Sequence, residues 1–219
     1  MSEENSPGKF VPALGFSWLT RIYDPVVRLT TREKRFKSEL LATAGLAASM
    51  EVLDLACGTG TLAILAKQQH PGCEIIAIDA DREILEIARG KAKQAGQAIN
   101  FQQGFSTELP FPDQHFDRVL SSLFFHHLLP DAKQLTFREV HRVLKPDGEL
   151  HIADWGKPGS FLMRGLFYFV RFLDGFDNTR DNVQGRLPEL MRQAGFRNVT
   201  TGRAFSTMFG TMTLYSGEK

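Results

Sequence analysis

The chain has 219 residues, 42% of them hydrophobic, and a net charge of +1. That size suffices for one substantial core, and so even a charge balance gives no broad footprint for nucleic acid, whose binding requires several phosphates to be neutralised together. Two cysteines, Cys57 and Cys73, provide neither a disulfide framework nor a zinc or iron–sulfur ligand set, so no metal site is expected.

Residues 1–9 are polar and read as a flexible tail without the apolar run of a secretory signal, which makes the cytoplasm the expected compartment. Two helices follow, Ser17 to Leu29 and Arg32 to Ala44, and residues 17–46 are expected to form a helical cap. The most basic run, Arg28 to Lys37, reads either as a solvated helix face relieved by Glu33 and Glu39 or as a contact to an acidic group of a ligand.

From Glu51 the pattern alternates strand and helix. Strands are expected at Glu51 to Leu55, Glu74 to Ile78, Ile99 to Gln102, Arg118 to Ser121 and Glu149 to Asp154, each apolar enough for a parallel sheet covered on both faces. Thr61 to Gln68 is the first intervening helix. Asp81 caps the next, with Ile84, Leu85 and Ala88 as its inward stripe, and Leu135, Val140, Val143 and Leu144 play that part after Asp131. Lys145-Pro146-Asp147-Gly148 is expected to stop that helix and turn the chain into the next strand. Such alternation implies a doubly wound, Rossmann-like α/β fold.

Phe161 to Leu173 is the most hydrophobic stretch, too short to span a bilayer and carrying Arg164 and Arg171. It is expected to pack as a core or lid helix, or to line an apolar substrate cavity, in preference to lying on a membrane. A helix from Leu187 to Ala194 and strands near Asn198 to Phe205 and Met212 to Ser216 complete the chain. The expected organisation is one domain: a core at 51–155 that binds a cofactor, a lid or substrate region at 156–195, and terminal strands at 196–219.

Chemistry concentrates at EVLDLACGTG, Glu51 to Gly60, and at Asp79 nineteen positions later. The first segment is a strand entering a tight Gly-rich turn that opens a helix, and the second strand ends in a carboxylate suited to a ribose diol. Gly58 to Ala63 also fits the dinucleotide fingerprint, so a nicotinamide-dependent dehydrogenase is one reading. Asp54 discriminates. At about 5 Å and an effective dielectric near 20, unit charges interact by roughly 3 kcal/mol, which repels a diphosphate and attracts an ammonium or sulfonium. S-adenosylmethionine has the matching polarity.

VLDLACGTG, LPFPDQHFD and RVLKPDGEL follow in an order that resembles the class I S-adenosylmethionine-dependent methyltransferases, in the branch typified by ubiquinone and menaquinone biosynthesis. The resemblance covers Glu51 to Trp155 and implies a seven-stranded sheet ending in an antiparallel hairpin. It implies that Ala56, Cys57, Gly58 and Gly60 surround the methionine part, Asp79 binds the ribose, Ala80 touches adenine, and Tyr23 closes over the cofactor tail. Ala56 stands where Gly is commoner, which is tolerable at negative φ. Phe105, between Gly104 and Ser106, replaces the usual acidic residue and is expected to stack on or beside the base. Ser121 leads into His126 and His127, which are expected beside the acceptor as a general base or substrate contact, or as ties for the following helix. Asp154 and Trp155 are further candidates to close the pocket.

No Asn/Asp-Pro-Pro-Tyr/Phe motif follows the fourth strand and no Pro-Cys nucleophile is present, which argues against methylation of nucleobase exocyclic amines and of cytosine carbon respectively. The acceptor is expected to be a small apolar or aromatic molecule methylated at oxygen, carbon or nitrogen. A protein that keeps the pocket without catalysing transfer is the remaining reading.

Overall fold

The computed structural model describes residues 33–157, 178–207 and 210–219. The tail at 1–9, the helix expected at Ser17 to Leu29 with Tyr23, and the apolar stretch Phe161 to Leu173 lie outside the described residues.

Helix α1 (Glu33–Ala44) buries Phe36, Leu40, Leu41 and Ala44, a stripe with helical period that seats it on the sheet. The strands are β1 (Glu51–Leu55), β2 (Glu74–Asp79), β3 (Asn100–Gln103), β4 (Phe116–Ser122), β5 (Leu144–Trp155), β6 (Arg197–Ser206) and β7 (Thr211–Glu218). They form one seven-stranded sheet in the order β3-β2-β1-β4-β5-β7-β6. Pairs from β3 through β5 are parallel, and β7 runs antiparallel to both β5 and β6. This is the doubly wound sheet with an antiparallel hairpin that the sequence leads one to expect.

Helices α2 (Thr61–Gln69) and α3 (Arg82–Gln94) join α1 in contributing Phe36, Leu40, Leu62, Ala63, Leu85 and Ala88 to one buried cluster. On the other face, α4 (Pro130–Val143) and α6 (Leu187–Gln193) pack Phe137, Val140, Leu187 and Met191 against Leu53, Leu55, Val119 and Ile152. Alternate residues of β1 serve the two clusters, Val52 on one side and Leu53 and Leu55 on the other. Covered on both faces, the sheet has only its edges and strand ends available for function. No helix among the described residues is long and apolar enough to cross a membrane.

Two local expectations need correction. Leu135 is 48% exposed, and the buried stripe of α4 is Lys133, Thr136, Phe137, Val140 and Val143. Lys133 belongs to it because its ammonium donates to the carbonyl of Asn178 and pairs with Asp181 at 3.4 Å. Lys145 to Gly148 does not precede β5 but bulges within it: Leu144 already pairs with Phe116, and the register resumes at Arg118–Glu149. Asp147 takes φ 61° there, and Leu144 is a fully buried strand residue, not the end of the helix.

Candidate functional site

Strand order reverses at β1, which pairs with β2 on one side and β4 on the other. Connections leaving these two neighbours depart to opposite faces, opening a crevice at their carboxyl ends. Residues 56–60, the end of β2 and the exit of β4 all meet there.

The turn is pinned by backbone bonds: Cys57 N–H donates to the Ile78 carbonyl and Gly60 N–H to the Cys57 carbonyl, both at 2.9 Å. Ala56 adopts φ 55°, against the expectation of a negative angle. An L-residue held there costs about 1–2 kcal/mol, so this turn stores strain at the crevice. Gly58 has φ 53° and faces open space, since a Cβ added there would meet nothing within 4 Å. Gly60, at φ 75°, is closely packed: its Cβ would lie 3.1 Å from Ala88 Cβ and from the Phe101 ring. Gly58 is therefore the position where backbone is left open to a ligand, while Gly60 serves helix-to-sheet packing. Burial pushes the Cys57 thiol well above its ordinary range, so it is an inert part of the turn.

Asp54 lies beneath the turn, 1% exposed, and accepts the Ala63 N–H at 3.0 Å within the first turn of α2. Burial raises its carboxyl to about 7, opposed by the Lys37 ammonium and by the Ala63 bond. Lys37 reaches this place from α1, where it is buried and paired with Glu33 at 2.6 Å. Within the basic run, then, Lys37 is a buried cation beside the turn and not part of a solvated face.

Asp79 uses both carboxylate oxygens to fix the crevice. Oδ2 accepts Gly58 N–H at 2.8 Å and Oδ1 accepts Asp81 N–H at 3.0 Å. Each oxygen retains a second lone pair for a ligand hydroxyl. Burial raises its pKa, and the backbone N–H groups of Asp81, Gly58 and Ala80 oppose the rise. The Ala80 carbonyl accepts from Gln103 Nε2 at 3.0 Å, and Gly104 N–H donates to the Asp79 carbonyl, so the loop after β3 is bound to the end of β2. Phe105, on that loop, is 53% exposed. Ser106 ties the loop to α4 through its hydroxyl, 2.9 Å from that of Thr136.

At the exit of β4 the Ser121 hydroxyl is fully buried and donates to the Leu55 carbonyl at 3.1 Å, so it joins β4 to β1 without facing the crevice. Leu123 takes φ 57° and donates its N–H to the Ala153 carbonyl. A short 3-10 helix, Phe125–His127, follows. His126 Nδ1 is 2.7 Å from Asp154 Oδ1 at the end of β5, and its ring stands edge-on to Trp155 with centroids 6.3 Å apart. Asp154 also accepts the backbone N–H groups of Phe124 and Trp155. The half-buried His127 ring lies 4.0 Å from that of His126, and desolvation together with that neighbour lowers its pKa well below the ordinary value. Helix α5 (Arg180–Gln184), which sequence patterning did not reveal, packs on the 3-10 helix and on β5.

A doubly wound sheet whose first turn, second-strand carboxylate and fourth-strand exit share one crevice defines the Rossmann-like class of enzymes for nucleoside cofactors. Within that class, residues 52–148 match the methyltransferase domain family. Similar curated relatives include a demethylmenaquinone methyltransferase of Thermus thermophilus, 34% identical over 181 residues that cover 80% of this chain and 81% of that one. A ubiquinone/menaquinone biosynthesis C-methyltransferase of Citrifermentans bemidjiense is 31% identical over 219 residues, covering 90% and 91%. Among solved structures, a SAM-dependent methyltransferase of Aquifex aeolicus superposes with TM-score 0.62 at 22% identity, covering 83% of this chain and 88% of that one. The phosphoethanolamine N-methyltransferase 2 of Haemonchus contortus, in complex with S-adenosyl-L-methionine, gives 0.68 at 16% identity, covering 84% and 52%. The chain belongs to the class I S-adenosylmethionine-dependent methyltransferases, in the ubiquinone/menaquinone biosynthesis branch. It is an enzyme that methylates a small acceptor, and neither the dehydrogenase nor the non-catalytic reading is supported.

Proposed function

We propose that the acceptor is a hydroquinone, a prenylated naphthalenediol of the demethylmenaquinol type, methylated at a ring carbon. The names of the relatives supply the class of acceptor. The observation that carries the reading is the buried His126–Asp154 pair at the exit of β4, because an aromatic carbon becomes nucleophilic only when its ring hydroxyl gives up a proton.

The crevice suits the cofactor: Gly58 is open, Asp79 has lone pairs for a diol, and Phe105 has an exposed face for a base. Asp79 takes the ribose hydroxyls, with Ala80 and the backbone of Gly104 and Ser106 along the adenine edge. Asp54 faces the ammonium side of the methionine part and Lys37 its carboxylate, while Ala56 to Gly60 and the backbone at Ser121 enclose it. Bound S-adenosylmethionine would supply an electrophilic methyl carried by a sulfonium, whose sulfur would leave as a neutral thioether. Asp154, 2.7 Å from His126 Nδ1, orients this imidazole to take the acceptor's O–H proton. Electrons of that O–H bond flow through the ring to the methylated carbon, and loss of its hydrogen as a proton restores aromaticity. His127, held neutral, lines the same edge. Alignment and exclusion of water supply much of the acceleration.

We place the reaction in the cytoplasm, with a small molecule as acceptor and no nucleic acid partner, in keeping with the charge of +1. The test is to incubate the protein with methyl-labelled donor and a reduced 2-prenyl-1,4-naphthalenediol, then locate the label by NMR. Label on the ring carbon is expected. Label transferred only to an amine in a mixed panel, with none on the diol, overturns the hydroquinone reading.

A further inference from the structure

Asn182, on α5, is fully buried, and its Nδ2 donates to the Trp155 carbonyl at 3.0 Å. That bond fixes the amide orientation, because a flipped side chain would set oxygen against oxygen. Oδ1 therefore has one defined position, and no donor among the described residues reaches it. A buried acceptor left without a donor costs about 1–3 kcal/mol, so its retention calls for a partner. Its surroundings say which. Asn182 is anchored to the residue following Asp154, α5 packs on the 3-10 helix that carries His126 and His127, and the His126 ring stands against Trp155. The unpartnered oxygen thus belongs to a helix packed on the segment that carries the proposed base and tied to the strand end that carries Asp154.

We propose that Asn182 binds the acceptor and determines its specificity, with Oδ1 receiving the hydrogen bond of a ring hydroxyl other than the one His126 deprotonates. This rests on the hydroquinone reading and deepens it: the enzyme selects a ring with two hydroxyl donors, one read by His126 and one by Asn182. Selectivity of this kind is strong, because an analogue lacking the hydroxyl leaves a buried polar atom unpaired.

The experiment compares kcat/KM for a 2-prenyl-1,4-naphthalenediol with that for the two naphthols that each lack one of its hydroxyls, in the wild type, Asn182→Ala and Asn182→Ser. Wild type should prefer the diol over the naphthol lacking the Asn182-facing hydroxyl by roughly ten- to hundredfold, expressed in KM. In both variants that preference should fall to about twofold or less, because the diol becomes worse while that naphthol does not. Calorimetric Kd values for S-adenosylmethionine that match wild type establish that the variants are folded. A diol preference that survives in both variants overturns the proposal and leaves Asn182 as a tie between α5 and β5. No methylation of the diol by wild type overturns the hydroquinone reading along with it, which keeps the two failures distinct.

Discussion

His126 Nδ1 lies 2.7 Å from Asp154 Oδ1, with side-chain exposures of 1% and 0%. The carboxylate also receives backbone N–H groups from Phe124 and Trp155, so it holds imidazole, 3-10 helix and strand end in one arrangement. Asp154→Asn keeps the shape but exchanges an acceptor for an amide that can force the other tautomer. We expect kcat to fall by about 10²–10⁴ with little change in the Kd for S-adenosylmethionine. Thermal denaturation separates the two effects, since breaking a buried pair also costs about 3–5 kcal/mol of stability. A variant that loses stability but keeps wild-type kcat below its melting range would remove His126 from the chemistry.

Cofactor affinity should depend on pH through Asp54. Burial first raises its carboxyl to about 7, while the Lys37 ammonium and the Ala63 N–H pull the other way. The folded pKa exceeds the unfolded value, so this group's contribution to stability declines as pH rises from about 4 to 7. Binding a cation has the opposite sign, because it requires the carboxylate and must expel the proton. Affinity for S-adenosylmethionine is expected to improve by up to about tenfold per pH unit between roughly pH 5 and 7 and then level off. Calorimetry in buffers of differing ionisation enthalpy should register proton release below pH 7, and Asp54→Asn should abolish it.

Two substitutions in the turn should have opposite signs. Ala56→Gly relieves a left-handed residue at φ 55° and is expected to stabilise the protein by about 1 kcal/mol. Gly60→Ala imposes that strain and pushes a Cβ to 3.1 Å from Ala88 and Phe101, costing about 2–4 kcal/mol. Urea unfolding of both variants checks the pair. Equal signs would mean that local strain does not govern this turn.

Asp79→Ala removes the acceptor for Gly58 and Asp81 as well as the proposed ribose contact. The Kd for S-adenosylmethionine is expected to rise by about a hundredfold or more. Asp79→Asn, which can still accept one of the two N–H bonds, should fall between that variant and wild type.

What the sequence discloses here is whatever is local. The turn after β1, the carboxylate at the end of β2 and the strand alternation each lie within a few residues, where glycine placement and apolar runs restrict the backbone directly. Burial created by distant segments was not legible. Lys133 reads as a surface residue by hydropathy, yet it is inside because Asn178 and Asp181, some 45 residues on, supply its acceptors. Its burial lowers the ammonium pKa against the pull of Asp181 and Asp154. Lys37 is similar, a cation from a basic run that α1 inserts beside Asp54. Asp54 reads as an open charge at the mouth of the turn and is instead a nearly sealed group that braces α2. Asn182 gave no signal, because its meaning is an orphaned atom and not a residue type.

The position of β7 between β5 and β6 has a consequence for biosynthesis. β6 emerges from the ribosome first but has no place in the sheet until β7 arrives to separate it from β5. Until then the nascent polypeptide carries an open strand edge along Glu149 to Trp155, adjoining the acidic partner of His126. Catalytic competence is thereby delayed until β7 has been made, and chaperone occupancy should concentrate on that interval.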